Sequence, residues 1–210
     1  MRIFYRICHT ALFIFLKVYC RMKTFGLDNV PPKGGVIIAS NHIAGGDPPF
    51  IGGGIKRESY FLAKKELFEN FFLRNLIGNL NSIPVDRSVL DQRAIEAAEK
   101  ALKNGNVLIL FPEGTRSKTG ELGKGKPGIG LLARRAVVPI VPAYIQNSKG
   151  FLRLPFTGRR LLIKYGSPID AAWIGSIPDT KDGYRRIAEE VMTRIKALGK
   201  ALGHAEDLKP

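Results

Sequence analysis

Val36-Ile37-Ile38-Ala39-Ser40-Asn41-His42-Ile43-Ala44-Gly45-Gly46-Asp47-Pro48-Pro49 reads as a strand, a turn and the start of a helix. Val36 to Ser40 is a short apolar run rich in β-branched residues, which predicts a buried strand. Gly45 and Gly46 supply a turn. Because the residue before a proline is disfavoured in the helical region, Asp47 should be extended, with Pro48 at or near the first position of the next helix.

The same alternation extends outward from this stretch. Tyr60–Ala63, Val107–Phe111, Val138–Ile145 and Leu161–Tyr165 look like further strands, and helical patterns fall at about residues 66–78, 88–104, 127–136 and 181–199. Strands alternating with helices predict a single α/β domain with a largely parallel or mixed central sheet flanked by helices. No repeat and no second domain is visible. Pro31-Pro32-Lys33-Gly34-Gly35 is a loop by composition, and the segment before it is of a different kind.

Residues 1 to 23 carry Arg2, Arg6, Lys17, Arg21 and Lys23 and no acid. On a helical projection Arg2, Arg6, His9, Thr10 and Lys17 share an arc of about 180° to 280°, and apolar residues fill most of the rest. The longest uncharged run, Ile7 to Leu16, has ten residues, whereas crossing a bilayer takes about 20. Two readings remain: a helix lying in the lipid headgroup region, or an amphipathic helix docked on the protein's own core. The first is preferred, dividing the chain into an interfacial membrane-anchoring segment, 1–25, and a body, 26–210. The only cysteines, Cys8 and Cys20, lie about 18 Å apart along such a helix, too far for a disulfide, which fits a reducing cytosolic setting.

With 33 Lys and Arg against 18 Asp and Glu, the 210-residue chain has a net charge of +15. The composition, 45% hydrophobic and 24% charged, is globular and excludes disorder, collagen and coiled coil. The charge points to an anionic partner. Nucleic acid is disfavoured, because the aromatics sit in apolar runs instead of alternating with Arg or Lys as stacking platforms.

In α/β folds, chemistry tends to sit in loops at the carboxyl ends of strands, and two such loops stand out. The first holds His42 and Asp47. A carboxylate on one imidazole nitrogen fixes the tautomer and raises the basicity of the other, which can then take a proton from a hydroxyl. The plain alternative is that Asp47 only caps a helix. Neither a G-x-S-x-G elbow nor a cysteine of the body offers a nucleophile, so the pair would act as a general base on a bound hydroxyl, and the group that hydroxyl attacks must already carry a good leaving group, as a thioester does. The second loop is Phe111-Pro112-Glu113-Gly114-Thr115-Arg116-Ser117. Here Arg116 can chelate phosphate, Gly114 permits close approach, and Glu113 suits orienting an arginine or lysine. A strand-ending turn with an Arg–Glu surface pair explains the same residues equally well. Lys64, Lys65 and Arg87 follow two extended runs, Lys65 reading best as a solvated charge. No phosphate-loop or dinucleotide fingerprint is present, and no Cys/His spacing suggests a metal.

NHIAGGD (Asn41–Asp47), SIPVDR (Ser82–Arg87), FPEGTRS (Phe111–Ser117) and VPIVPAYI (Val138–Ile145), in that order, resemble the four motifs of the glycerolipid acyltransferase family, over about residues 26–170. The nearest branch is its bacterial 1-acyl-glycerol-3-phosphate acyltransferases. The resemblance implies a glycerol-3-phosphate acyltransferase-like fold. It implies His42 as base, Asp47 as its partner, and Arg87, Glu113, Gly114, Arg116 and Lys64 in the glycerol-phosphate site. Pro142 would shape the pocket near the acyl chain. It also implies transfer of an acyl chain from acyl carrier protein or coenzyme A to the 2-hydroxyl of lysophosphatidic acid, giving phosphatidic acid, without a cofactor or an acyl-enzyme intermediate. Glycerol 3-phosphate or another lysolipid is the nearest alternative acceptor, and non-catalytic binding of anionic lipid the more distant alternative. Such an enzyme is expected to be peripheral or monotopic on the cytoplasmic face of the cell membrane. Members often carry Ser two residues after the histidine and bulkier residues before the aspartate. Ala44 and Gly45-Gly46 depart from this, implying a wider acyl groove or a looser loop.

Overall fold

The computed structural model describes residues 3–86, 88–89 and 91–207, the side chains of 204–207 excepted. The strands are β1 (Lys23–Phe25), β2 (Val36–Ser40), β3 (Ser59–Lys64), β4 (Ser82–Val85), β5 (Val107–Leu110), β6 (Ile140–Gln146) and β7 (Leu162–Tyr165). The helices are α1 (Ile3–Val18), α2 (Asp47–Gly53), α3 (Phe71–Asn79), α4 (Gln92–Lys103), α5 (Gly128–Ala136), α6 (Leu154–Thr157), α7 (Ala171–Ser176) and α8 (Lys181–Asp207).

The strands form one seven-stranded sheet in the order β1-β7-β6-β2-β5-β3-β4. All neighbours are parallel except β6 and β7, so the sheet is mixed. The two central strands explain their own sequences. Ile37 and Ala39 of β2, with Leu108 and Leu110 of β5, join the core on one face together with Ala94, Ala98 and Leu102 of α4, Ile129 and Leu132 of α5 and Val191 of α8. Val36 and Ile38, with Val107 and Ile109, join the core on the other face together with Leu16 near the end of α1 and Phe50 and Ile51 of α2. Strands covered on both faces need apolar residues at every position, which is why these runs show no alternation.

Helix α1 docks on the body. Leu16 and Tyr5 are buried, the Tyr5 hydroxyl lies 3.1 Å from Ser59 Oγ, and His9 Nε2 lies 2.8 Å from the Ile55 carbonyl oxygen. Gly53 makes the approach possible, since a Cβ there would fall 2.9 Å from Leu16 Cδ1. His9, expected on the solvent-facing polar arc, therefore faces inward; Arg2 lies outside the described residues. The side of α1 away from the body stays apolar and uncovered, with Ile3, Phe4, Ile7, Ile14 and Val18 exposed. Arg6, Thr10 and Lys17 run alongside it and are also exposed. Among the described residues no helix is long and apolar enough to cross a membrane. Cys8 and Cys20 are both free, and burial pushes the Cys20 thiol up from its ordinary value.

Three expectations are corrected. Residues 23–25 form edge strand β1, so the chain enters the sheet before residue 26. The helix expected at about 66–78 is broken, because the Asn70 side chain accepts a hydrogen bond from Leu73 N and caps α3. Asp47 is not extended but is the first residue of α2. The Asp47 backbone N donates to the Ala44 carbonyl, and its carboxylate accepts from the backbone N of Ile43 and of Ala44; these bonds offset the pre-proline restriction there.

Candidate active site

β2 and β5 lie side by side, yet their connections part: α2 carries the chain from β2 towards β3 over one face, and α5 carries it from β5 back to β6 over the other. Divergence of this kind opens a crevice at the carboxyl ends of the strands. The loops bearing His42 and Glu113 meet there.

His42 is held from four sides. Its Nδ1 lies 2.9 Å from Asp47 Oδ2, its backbone N donates to Glu113 Oε1 at 3.2 Å, and its carbonyl oxygen accepts from Ser117 N at 2.8 Å. The ring stacks on Phe111, with centroids 4.1 Å apart. One residue earlier, the Asn41 side chain mimics a strand backbone, donating to the Ile145 carbonyl at 3.0 Å and accepting from Ile145 N at 2.8 Å. A carboxylate accepts only, so Nδ1 is the donor in this contact and Nε2 is the ring nitrogen turned away from it.

Asp47 is fully buried. Besides His42, its Oδ2 accepts from Ile43 N at 2.7 Å and Ala44 N at 2.8 Å. These donors belong to the preceding loop, not to α2, so the carboxylate does not act as a helix cap. They also hold the loop tightly, contrary to the looseness that Gly45-Gly46 implied. The Cβ position of Gly45 lies 3.6 Å from Arg116 Nη1, so the missing side chain is where the guanidinium passes.

Glu113 is 8% exposed. Its Oε2 accepts from Gly123 N at 2.9 Å, as Oε1 does from His42 N. Among the described residues it orients neither arginine nor lysine and makes no surface pair with Arg116; it staples the 117–127 loop to the His42 loop. Gly114 has φ +73°, a conformation that favours glycine, and a Cβ there would lie 3.0 Å from Lys126 Nζ. Lys126 thus lies across Gly114, its backbone N bonded to the Pro112 carbonyl.

A cavity of about 280 Å³ opens from His42 and Lys126 into a lining of Leu62, Val85, Ile95, Leu110, Ile129 and Leu132.

Residues 21–146 match the acyltransferase family model. The chain belongs to that family. It is 31% identical to the 1-acyl-sn-glycerol-3-phosphate acyltransferase of Bacillus subtilis (strain 168), over 92% of this chain and 96% of that protein. It is 35% identical to a protein of the same name from Pseudomonas aeruginosa, over 89% of this chain and 74% of the other. The crystal structure of the 1-acyl-sn-glycerophosphate (LPA) acyltransferase PlsC from Thermotoga maritima superposes with a TM-score of 0.67 and 26% identity, covering 92% of this chain and 81% of that one.

The residues that the family motifs suggested fall into different groups. His42, Asp47, Glu113, Gly114 and Arg116 come together at the crevice. Lys64 stands at the end of β3 paired with Glu66 at 2.9 Å, and Lys65, expected to be solvated, pairs with Asp86 at 2.5 Å. Arg87 lies outside the described residues. Pro142 does not line the cavity: it is buried in β6, where it packs beside Gly166 and α8. The corrected position follows from strand order, because α8 covers β6, whereas the cavity opens on the β5 and β3 side. Three site residues went unassigned in the sequence. Phe111 and Asn41 lie inside the family motifs but carry no chemistry of their own. Lys126 sits in the glycine-rich stretch Gly123-Lys124-Gly125-Lys126-Pro127-Gly128, where a basic residue next to a glycine was the available signal.

Proposed function

We propose that the protein transfers an acyl chain from an acyl thioester to the 2-hydroxyl of 1-acyl-glycerol 3-phosphate, giving phosphatidic acid. The observation that carries this reading is the His42–Asp47 pair, buried beside an apolar cavity, with Arg116 and Lys126 on the polar side. The acceptor phosphate rests against these two cations, and the acyl chain occupies the cavity. His42 Nε2 takes the proton of the 2-hydroxyl as its oxygen attacks the thioester carbonyl carbon. Collapse of the tetrahedral intermediate breaks the carbon–sulfur bond, and the imidazolium returns its proton to the thiolate. No acyl-enzyme forms and no cofactor enters. Acyl carrier protein or coenzyme A supplies the thioester.

Acceptor and product are bilayer lipids, and α1 is the part of the protein that meets them. Its uncovered apolar side lies in the headgroup region, with Arg6 and Lys17 reaching lipid phosphates. The enzyme is then a peripheral membrane protein. Thiol release should be followed with acyl-coenzyme A and a panel of lysophosphatidic acid, glycerol 3-phosphate and other lysolipids, beside His42→Ala. The expected result is release with lysophosphatidic acid that the substitution abolishes. Release unchanged in His42→Ala, or absent with every acceptor, refutes the reading.

A further inference from the structure

The loop between β6 and β7 carries Lys149, Arg153, Arg159 and Arg160 and no acid. Because β6 runs parallel to β2, this loop leaves the same end of the sheet as the catalytic loop. It is fastened to the elements around the site. Phe151 packs edge-on against Phe15 of α1 at 6.2 Å and Phe50 of α2 at 5.0 Å, Leu154 is buried, and the Tyr19 hydroxyl donates to the Leu152 carbonyl at 2.8 Å. Two large apolar side chains are nevertheless left outside: Leu152 is 59% exposed and Phe156 86%. Beside them Lys149, Arg153 and Arg159 surround a cavity of about 370 Å³. None of the three has an acidic partner among the described residues.

We propose that this loop is a second membrane-contact element, in which Phe156 and Leu152 enter the lipid and the three cations hold the phosphate of an anionic headgroup. Three observations select a lipid surface as occupant. The loop is continuous with α1 through Phe15 and Tyr19, so the apolar side of α1 and the loop belong to one surface. Apolar side chains next to unpaired cations match the layering of an interface, with acyl chains below and phosphates above. The loop also borders α2, whose first residue is Asp47, so its insertion sets the crevice at headgroup depth. The proposal rests on the reading of the protein as an enzyme that acts on lysophosphatidic acid.

The test is sedimentation of the full-length protein with vesicles of phosphatidylcholine alone or mixed with phosphatidylglycerol. Each cation near an anionic surface is worth about fivefold in partition. The triple variant Lys149→Gln/Arg153→Gln/Arg159→Gln should therefore bind the anionic vesicles about 100-fold more weakly, with the deficit shrinking in high salt. Phe156→Ser should lose about tenfold on both vesicle types. Turnover of a short-chain lysophosphatidic acid free in solution, with acyl-coenzyme A, should be unchanged in both variants. Wild-type partition by the triple variant overturns the proposal. So does a loss of turnover confined to acyl carrier protein as donor, which makes that acidic protein the occupant. If the triple variant does not fold, Arg159→Gln alone carries the test, at about fivefold. A wild-type protein without turnover refutes the acyl-transfer reading, and vesicle partition still decides the loop.

Discussion

Asp47→Asn separates electrostatic from structural roles of the carboxylate. In the proposed mechanism His42 takes the hydroxyl proton, and the imidazolium then faces Asp47 Oδ2 across the 2.9 Å contact. With charge centres about 4 Å apart and an effective dielectric constant of about 20, the attraction is about 4 kcal/mol, or about 10³-fold in rate. The asparagine oxygen can occupy the Oδ2 position and keep its donors. Its NH2 group then falls where Oδ1 is buried without a hydrogen-bond partner. Leaving that group unpaired costs about 1–3 kcal/mol, and each kcal/mol lowers Tm by about 2–4 °C in a chain of this size. Thiol release with a soluble short-chain acceptor should therefore show kcat reduced about 10³-fold, with KM changed by less than about threefold. Because the pair acts as a unit, adding Asp47→Asn to His42→Ala should cost nothing further. A variant within about tenfold of wild-type kcat, with an intact near-ultraviolet spectrum, refutes the reasoning.

Glu113→Gln turns one acceptor towards a backbone N–H as a donor; losing that bond, worth about 1.5–3 kcal/mol, should lower kcat by about 10- to 100-fold without a matching rise in KM, measured by the same assay. Lys126→Met should raise KM for lysophosphatidic acid about tenfold and leave kcat within a fewfold, as expected for a phosphate contact made equally in ground and transition states. Arg57 is a structural counterpart: it donates to the carbonyls of Pro31 at 2.6 Å, Gly34 at 2.5 Å and Gly105 at 2.6 Å. Arg57→Met should cost about 2 kcal/mol and lower Tm by about 4–8 °C, read by calorimetry, with kcat preserved.

Most of the sheet was legible because its signals are local. The runs at Val36–Ser40 and Val107–Phe111 are β-branched and uninterrupted, and helices such as Gln92–Lys103 bury Ala94, Ala98, Ala101 and Leu102 at helical spacing. Edge strand β1 was not legible, since three residues, Lys23–Phe25, with one half-buried side chain between two exposed ones, carry no pattern. Within the site, residue types announced their chemistry but not their partners. Glu113 looked like a partner for a cation and instead bonds two backbone N–H groups, from His42 and Gly123. Pro142 belongs to a family motif, yet strand order sets it under α8 and away from the cavity.

The sequence by itself determined the α/β class, the position of the His42 loop at a strand end, and an amino-terminal helix with a cationic strip, because burial periodicity and turn chemistry act over a few residues. The tertiary structure decided the rest. Parallel pairing of β2 with β5 set His42 beside Phe111 and Glu113, the fold back onto Gly114 brought in Lys126, and docking of α1 through Tyr5, His9 and Leu16 chose which apolar side remained outward. These contacts join residues far apart in the chain, and what selects them is the requirement that both faces of the sheet be covered at once.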